Sequence, residues 1–206
     1  MEILTSGKSQ QVKLTIPEGY AIRHIDTLLT EKSFIHQGEF ETCAKETCKG
    51  KNLEGFLFPD TYFLDYGSFS VESFSDLLLN TFDKKVSQEL KDEILKSGRT
   101  IQEMVIMASI LEKEVLHEED LPIVSGILWK RFDAKWGLDV DATLLYDREN
   151  NDRDITHEDL QSSSPYNTRK WRGLPPTPIG NPGLKTILAA LHPEKTDYWF
   201  YLSKSD

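Results

Sequence analysis

The sequence has little cysteine: 2 residues in a chain of 206. A structural zinc site usually needs four ligands, and neither a second cysteine pair nor a suitably spaced histidine pair is available. Cys43 and Cys48 leave two interpretations open, a short-loop disulfide in an oxidising compartment or two reduced thiols. The disulfide is favoured, but only modestly, because a helix through both positions could hold the two side chains too far apart to bond.

The chain also lacks an excess of basic residues and a long apolar run. Its 24 Lys and Arg against 34 Asp and Glu give a formal net charge of -10, which argues against nucleic acid, because phosphate binding needs clustered basic side chains. No apolar run approaches the roughly 18 residues that cross a bilayer, and no signal-peptide pattern opens the chain. With 38% hydrophobic and 28% charged residues, we expect one main globular domain, with at most a small subdomain attached.

Periodicity predicts a small strand and helix unit ahead of a mostly helical body. Residues 11–16 alternate polar and apolar side chains, which indicates a strand, and residues 21–33 have helical spacing. The simplest role for this unit is packing or docking. Residues 52–66 are rich in Gly, Pro and aromatics and predict an ordered loop.

The body is predicted to contain several helices. Residues 71–97 indicate one long helix or two abutting helices. Thr100 with Glu103 forms a capping-box pattern that opens a strongly apolar helix ending at Glu114 or a little beyond. Further helices are predicted over 121–133 and 184–191.

The last third of the chain contains a long irregular segment. Residues 162–183 include five prolines and three glycines, so they predict a loop, and long loops in compact domains are usually functional or disordered. Tyr166 and Trp171 within it favour a functional loop. Residues 198–202 predict a buried closing strand. The fold class predicted is α+β.

Glu112 and Glu114 lie at the end of the apolar helix. Two carboxylates at this position cost free energy by losing hydration unless both face a cleft. The residues three, four and seven positions before Glu114 are bulky and apolar: Leu111, Ile110 and Met107. Such neighbours raise the pKa of a carboxyl, which is what a glycosidic general acid requires. The alternative is that both glutamates only mark the point where the helix leaves the core.

Three blocks of sequence carry a resemblance to a known family. They are ASILEKE at 108–114, LEGFLFPDTY at 53–62, and YNT at 166–168 followed by GLPPTPIGNPG at 173–183. In order and approximate spacing they resemble the YceG-like family of endolytic murein transglycosylases. The resemblance covers about residues 7–202. It implies that the second glutamate of the Glu-Lys-Glu element, Glu114, is catalytic.

The resemblance also implies a domain organisation. Residues 1–50 are expected to be the end of a small LysM-like α/β subdomain with connecting helices, and residues 51–206 a C-terminally truncated catalytic domain. The full-length protein is expected to have an N-terminal anchor outside this sequence. The anchor would be a single-pass span of the inner membrane, with the catalytic domain on the periplasmic or extracytoplasmic side.

The implied reaction cleaves the β-1,4 bond between N-acetylmuramic acid and N-acetylglucosamine in nascent peptidoglycan. Glu114 acts first as acid and then as base, a 1,6-anhydro end forms, and strand elongation stops. This differs from hydrolytic glycosidases, which use a second carboxylate. No metal or organic cofactor is expected; the expected partners are glycan strands and peptidoglycan synthases.

Glu54, Glu112 and Asp141 are the acidic residues expected to contact the substrate. By resemblance Glu54 lies in the cleft, where it would bind sugar hydroxyls or tune Glu114; a loop or capping role is an equal alternative. Asp141 falls where the family usually has Asp-Pro-Thr, but Ala142 replaces the proline. We therefore expect the local backbone to differ from that of the family.

Tyr166, Asn167 and Thr168 complete the expected substrate contacts. An aromatic face with an adjacent amide suits a sugar, while a tyrosine packed against the loop is the competing interpretation. Two rival functions remain open as well. One is a non-catalytic peptidoglycan-binding scaffold of the cell-wall synthesis complex. The other is a hydrolase in which Glu54 or Asp141 handles water.

Overall fold

A computed structural model of the chain describes residues 11–148 and 155–202. Helices dominate and accompany a two-stranded antiparallel sheet, which confirms the α+β class. In the part described, no helix is both long and apolar enough to cross a membrane. The elements, in chain order, are β1 (Gln11–Thr15), α1 (Ile22–Glu31), α2 (Glu39–Thr42), a π-helical turn (Cys43–Thr47), β2 (Thr61–Asp65), α3 (Val71–Lys85), α4 (Gln88–Lys96), α5 (Ile101–Glu114), a 3-10 turn (Glu118–Asp120), α6 (Leu121–Asp133), α7 (Asp141–Asp147), α8 (His157–Gln161) and α9 (Leu184–Leu191).

One hydrophobic cluster joins β1, α1, β2 and α3. β1 pairs with β2 so that Gln11 lies opposite Asp65 and Thr15 opposite Thr61. Buried members of the cluster come from both sides of residue 50: Leu14, Ile22, Ile25, Leu29, Phe40, Leu57, Tyr62, Leu64, Phe74 and Leu78. The LysM-like character of residues 1–50 and the boundary at 50 stay predictions, and residues 1–10 lie outside the described part.

The strand β2 corrects the loop predicted over residues 52–66. Tyr62 and Leu64 are buried and alternate with the exposed Phe63. The Gly, Pro and aromatic content around this segment obscured a five-residue strand, which exists because β1 supplies a pairing partner far away in sequence.

Two helices, α3 and α4, occupy residues 71–97, which confirms the second of the two alternatives predicted there. α3 ends at Lys85, and the side chain of Ser87 accepts a hydrogen bond from the Leu90 N–H to cap α4. A serine at this position satisfies one of the free donors at a helix start, so a new helix begins immediately.

A second cluster of buried hydrophobic residues surrounds α5. The Thr100 and Glu103 capping box is present, and the eight residues 104–111 are all buried. α5 packs against α4, α6, α7 and α9, so it is covered on most sides. The bounds predicted for α6 and α9 are confirmed to the residue. Residues 162–183 contain neither helix nor strand, as predicted.

The predicted buried strand at residues 198–202 is wrong. These residues form neither strand nor helix, and the side chains of Tyr198, Phe200 and Leu202 are exposed. The Trp199 carbonyl accepts a hydrogen bond from the Arg131 side chain of α6, at 2.8 Å from Nε. An apolar run becomes a strand only when a second strand is available to pair with its backbone. Here the Arg131 side chain, and not a strand, bonds to the backbone of Trp199.

The sequence patterns missed the short helices α2, α7 and α8, which are too short for a period of 3.6 to be visible. The π-helical turn after α2 carries Cys43, and the structure joins it to Cys48 in a disulfide with the Cα atoms 4.7 Å apart. That separation lies within the usual range for disulfides, so the helical geometry does not prevent the bond.

Candidate functional site

The site is built around the last residue of α5, Glu114. The residues behind it on the helix, Leu111, Ile110 and Met107, are fully buried, whereas Glu114 is half-buried. α5 ends here because Val115 adopts an extended conformation. The apolar sequence of α5 thus delivers one carboxyl to the surface of the core.

Both oxygens of Glu114 accept hydrogen bonds. The Tyr201 hydroxyl donates to Oε2 at 3.1 Å, and the Ala142 N–H donates to Oε1 at 3.4 Å. Burial raises the pKa of Glu114, and the charge of Asp141 raises it further, while the two hydrogen bonds and Arg169 lower it. The net effect is a raised pKa, in the direction predicted from the sequence.

A cavity of about 190 Å³ opens beside this carboxyl. Its lining residues are Glu114, Val115, Leu116, His117, Asp120, Ile123, Val124, Tyr201 and Leu202. Glu114 therefore combines a partly desolvated carboxyl with open space where a ligand oxygen could approach.

Asp141 lies near Glu114 at the start of α7. Its carboxylate accepts a hydrogen bond from Arg169 Nε at 3.2 Å, and its charge acts on Glu114. Ala142, which follows it, supplies the N–H that reaches Glu114. A proline at position 142 would have no N–H to donate, so this residue gives the site a donor.

Thr168 is buried, and it fixes the start of α7 rather than lining an open cleft. Its hydroxyl accepts a hydrogen bond from the Val140 N–H at 3.0 Å. Asn167 is also buried, and its side-chain amide donates to the carbonyls of Leu160 and Ser162 at 3.1 and 3.0 Å. Thr168 thus fixes the backbone at the start of α7 and Asn167 fixes the backbone at the end of α8, and their predicted contacts with substrate stay predictions.

Tyr166 lies in the proline-rich loop, which is the irregular segment 162–183. Its hydroxyl shares a 2.7 Å hydrogen bond with Thr177, and its ring lies 5.2 Å from the ring of Tyr146. This placement matches the interpretation of a tyrosine packed within its own loop. The side chain remains partly exposed.

Glu54 is sealed inside the protein, 2% exposed. It accepts hydrogen bonds from the Ile22 N–H at 3.1 Å, the Tyr146 hydroxyl at 2.9 Å and the Asn181 side-chain amide at 3.2 Å. Burial raises its pKa to about 7, although the bonds from Tyr146 and Ile22 lower it. Glu54 therefore joins α1, α7 and the proline-rich loop.

Glu112 points to the other side of α5. Its carboxylate accepts hydrogen bonds from the Thr186 hydroxyl at 2.6 Å and the Gly183 N–H at 3.0 Å. These groups belong to the start of α9, where a negative charge is favourable. Glu112 therefore caps α9, and its predicted contact with substrate stays a prediction.

Sequence reasoning missed Tyr201 and the Ala142 N–H as partners of Glu114. Tyr201 was placed in a buried strand, and no spacing in the sequence links it to a residue 87 positions earlier. The hydroxyl of Tyr201, within a largely apolar run, was the available signal, because a buried tyrosine hydroxyl usually finds a hydrogen-bond partner.

The described residues contain one group of three potential metal ligands, Cys43, Cys48 and Glu72. The two sulfurs are joined in the disulfide, so neither is the thiolate that binds metals. None of these three residues lines the Glu114 cavity.

Comparison with known proteins places the chain in a family. It is 33% identical over 193 residues to the endolytic murein transglycosylase of Bacillus subtilis (strain 168), covering 91% of this chain and 53% of the relative. It is 28% identical over 222 residues to the protein of the same name in Streptococcus pneumoniae serotype 2 (strain D39), covering 92% of this chain and 40% of the relative. The chain thus spans about half or less of the length of these relatives.

A solved structure has the same fold as this chain. The crystal structure of a YceG-like protein from Listeria monocytogenes superimposes with a TM-score of 0.85 at 28% identity, covering 94% of this chain and 70% of that one. The YceG-like family matches residues 1–206. The chain therefore belongs to the YceG-like family.

Proposed function

We propose that this chain is the catalytic part of an endolytic lytic transglycosylase of peptidoglycan, with Glu114 as its general acid and base. The observation that carries the proposal is a single carboxyl at the end of a buried helix, with a pKa raised by burial and a cavity beside it. The similarity to the endolytic murein transglycosylases of Bacillus subtilis and Streptococcus pneumoniae supports the same reaction class.

In the first step Glu114 protonates the oxygen between N-acetylmuramic acid and N-acetylglucosamine. The electron pair of the C1–O bond leaves with the N-acetylglucosamine oxygen, and an oxocarbenium-like centre develops at C1 of the muramoyl residue. A raised pKa keeps the acid form of Glu114 available near neutral pH for this transfer.

In the second step the Glu114 carboxylate takes the proton of the muramoyl C6 hydroxyl. The C6 oxygen closes onto C1, which gives a 1,6-anhydro end and restores the acid. No water is consumed. The donors from Tyr201 and Ala142 favour the carboxylate while burial favours the acid, so both forms are accessible in one cycle.

The proposed substrate also determines where the domain acts. Because peptidoglycan lies outside the cytoplasmic membrane, the proposal requires an extracytoplasmic domain. A membrane anchor is a further part of the proposal. The Cys43–Cys48 disulfide supports an oxidising compartment. Internal cleavage of new strands would limit their elongation and would bring the domain close to peptidoglycan synthases.

Product analysis of purified sacculi tests the proposal. Wild type, Glu114→Gln and the control Glu119→Gln are incubated with sacculi, and the products are identified by mass spectrometry. Glu119 is an exposed carboxyl on the turn after α5 and does not line the cavity. We expect anhydro ends from wild type and the control, and a loss of about a hundred- to ten-thousand-fold for Glu114→Gln with glycan binding retained.

Each rival function has its own outcome in this experiment. Reducing ends that carry the mass of one added water identify a hydrolase, with Asp141 the carboxylate near Glu114 to examine next. Glycan binding without cleavage by wild type identifies a scaffold. Unchanged product formation by Glu114→Gln contradicts the assignment of Glu114.

A further inference from the structure

We propose that Tyr201 is a positioning residue for Glu114 and that the buried Arg131 holds it in place. The inference rests on the proposed function of Glu114. Its starting point is the 3.1 Å hydrogen bond from the Tyr201 hydroxyl to Glu114 Oε2, made by a segment that has no strand or helix of its own to fix it.

Arg131 supplies the missing support. It lies on α6, is 6% exposed, and its Nε donates to the Trp199 carbonyl at 2.8 Å. Its guanidinium carbon also lies 5.9 Å from the centre of the Tyr201 ring. The backbone two residues before Tyr201 and the ring itself are thereby set against one rigid helix.

The same guanidinium holds the second donor to Glu114. Arg131 Nη1 donates to the Leu138 carbonyl at 2.7 Å, four residues before Ala142. One buried cation therefore joins the two segments whose donors reach Glu114, the Tyr201 hydroxyl at Oε2 and the Ala142 N–H at Oε1. With a donor at each oxygen, rotation of the carboxyl is restricted.

Tyr201 is suited to donate a proton in a hydrogen bond without losing it. Burial, followed by the charge of Glu114, raises the pKa of Tyr201 far above neutrality. The phenol therefore stays protonated and stabilises the carboxylate that forms after Glu114 has given up its proton. The other charged groups acting on Glu114 are Asp141 and Arg169. His117 and Asp120 also line the cavity.

The test compares wild type, Tyr201→Phe and the control Tyr198→Phe. Tyr201→Phe keeps the ring and removes the donor. Tyr198→Phe removes a hydroxyl three residues earlier from a side chain that is 64% exposed. Two quantities are measured: the titration midpoint of the Glu114 carboxyl by NMR with ¹³C-labelled glutamate, its resonance identified by its loss in Glu114→Gln, and the pH profile of anhydro-product formation.

For Tyr201→Phe we expect a higher Glu114 midpoint, and an alkaline limb of the pH profile moved upward by about one pH unit. The limb moves this way because the acid form persists to higher pH. kcat should change while KM stays close to the wild-type value, since Tyr201 acts through Glu114. Tyr198→Phe should match wild type in every measurement.

An unchanged midpoint in Tyr201→Phe overturns the inference, as does a moved midpoint with an unmoved pH profile. If Tyr201 had only a structural role, Tyr201→Phe would lower the stability of the fold. The Glu114 titration midpoint and the pH profile of product formation would then stay at their wild-type positions. If wild type forms no anhydro ends while the midpoint moves, the proposed function fails and the contact between Tyr201 and Glu114 stands.

Discussion

Glu54 and Glu114 are both desolvated carboxyls with raised pKa values, yet their surroundings differ. Glu54 is 2% exposed, and donors from α1, α7 and the proline-rich loop surround it. Glu114 is half-buried, lines a cavity of about 190 Å³, and accepts from one hydroxyl and one backbone N–H.

The difference shows that a raised pKa alone does not identify a general acid. A catalytic carboxyl must also be reachable by the atom that takes its proton. Glu54 satisfies the first condition and joins three parts of the chain, whereas Glu114 satisfies both. Glu54 is thus expected to act on stability and Glu114 on chemistry.

The largest expected effect on stability is that of Glu54→Ala. The change leaves three buried donors without an acceptor, so we expect the free energy of unfolding to fall by about 3 kcal/mol. Glu114→Ala should cost less than about 1 kcal/mol, because the cavity lets water reach the donors left behind. Urea denaturation of both variants measures this, and equal losses would remove the distinction between the two carboxyls.

A second test uses the pH dependence of stability. The pKa of Glu54 is raised from 4.5 to about 7, so the folded state binds more protons than the unfolded state between these values. The contribution of Glu54 is therefore fully present below pH 4.5 and is lost as the pH rises through about 7. Relative to Glu54→Gln, wild type should lose about 3 kcal/mol of unfolding free energy over this range.

The variant is needed as a reference because a half-buried group, His24, opposes Glu54. Burial lowers the pKa of His24 to about 4, which makes stability rise with pH below its ordinary value of 6.5. This slope is common to wild type and Glu54→Gln and cancels in their difference. Denaturation curves across the pH range give that difference, and a flat result would mean that Glu54 titrates alike in the folded and unfolded chain.

The smallest expected effect concerns Glu112, two residues before Glu114. Because Glu112 caps α9, Glu112→Gln should lower the free energy of unfolding by about 1 kcal/mol and leave anhydro-product formation close to wild type. Thermal unfolding measures the change in stability, and product analysis measures anhydro-product formation, with Glu119→Gln as the control in each. A loss of product formation as large as that of Glu114→Gln would instead support the predicted contact with substrate.

Local patterns predicted the parts of the fold whose causes are local. The capping box at Thr100, the apolar period of α5 and the bounds of α6 and α9 all depend on neighbours within a few residues. β2 and residues 198–202 could not be predicted, since strand pairing depends on a partner that is remote in sequence.

The same division holds within the site. The apolar residues one and two turns before Glu114 were enough to predict its raised pKa, because they lie on the same helix face. The separation of roles among the other carboxyls was not predictable. Glu54 and Glu112 occur in sequence blocks that resemble active-site motifs, but their hydrogen-bond partners lie 32 to 127 residues away.

The amino-acid sequence by itself determined the helical body, the irregular proline-rich segment and the choice of Glu114, since helix periodicity, caps and backbone-breaking residues act over a few positions. Only the tertiary structure decided that Tyr201 and the Ala142 N–H meet this carboxyl and that Glu54 is closed off from solvent. Contacts between distant segments depend on how buried surfaces pack, and Arg131 joins two such segments at the Glu114 end of α5.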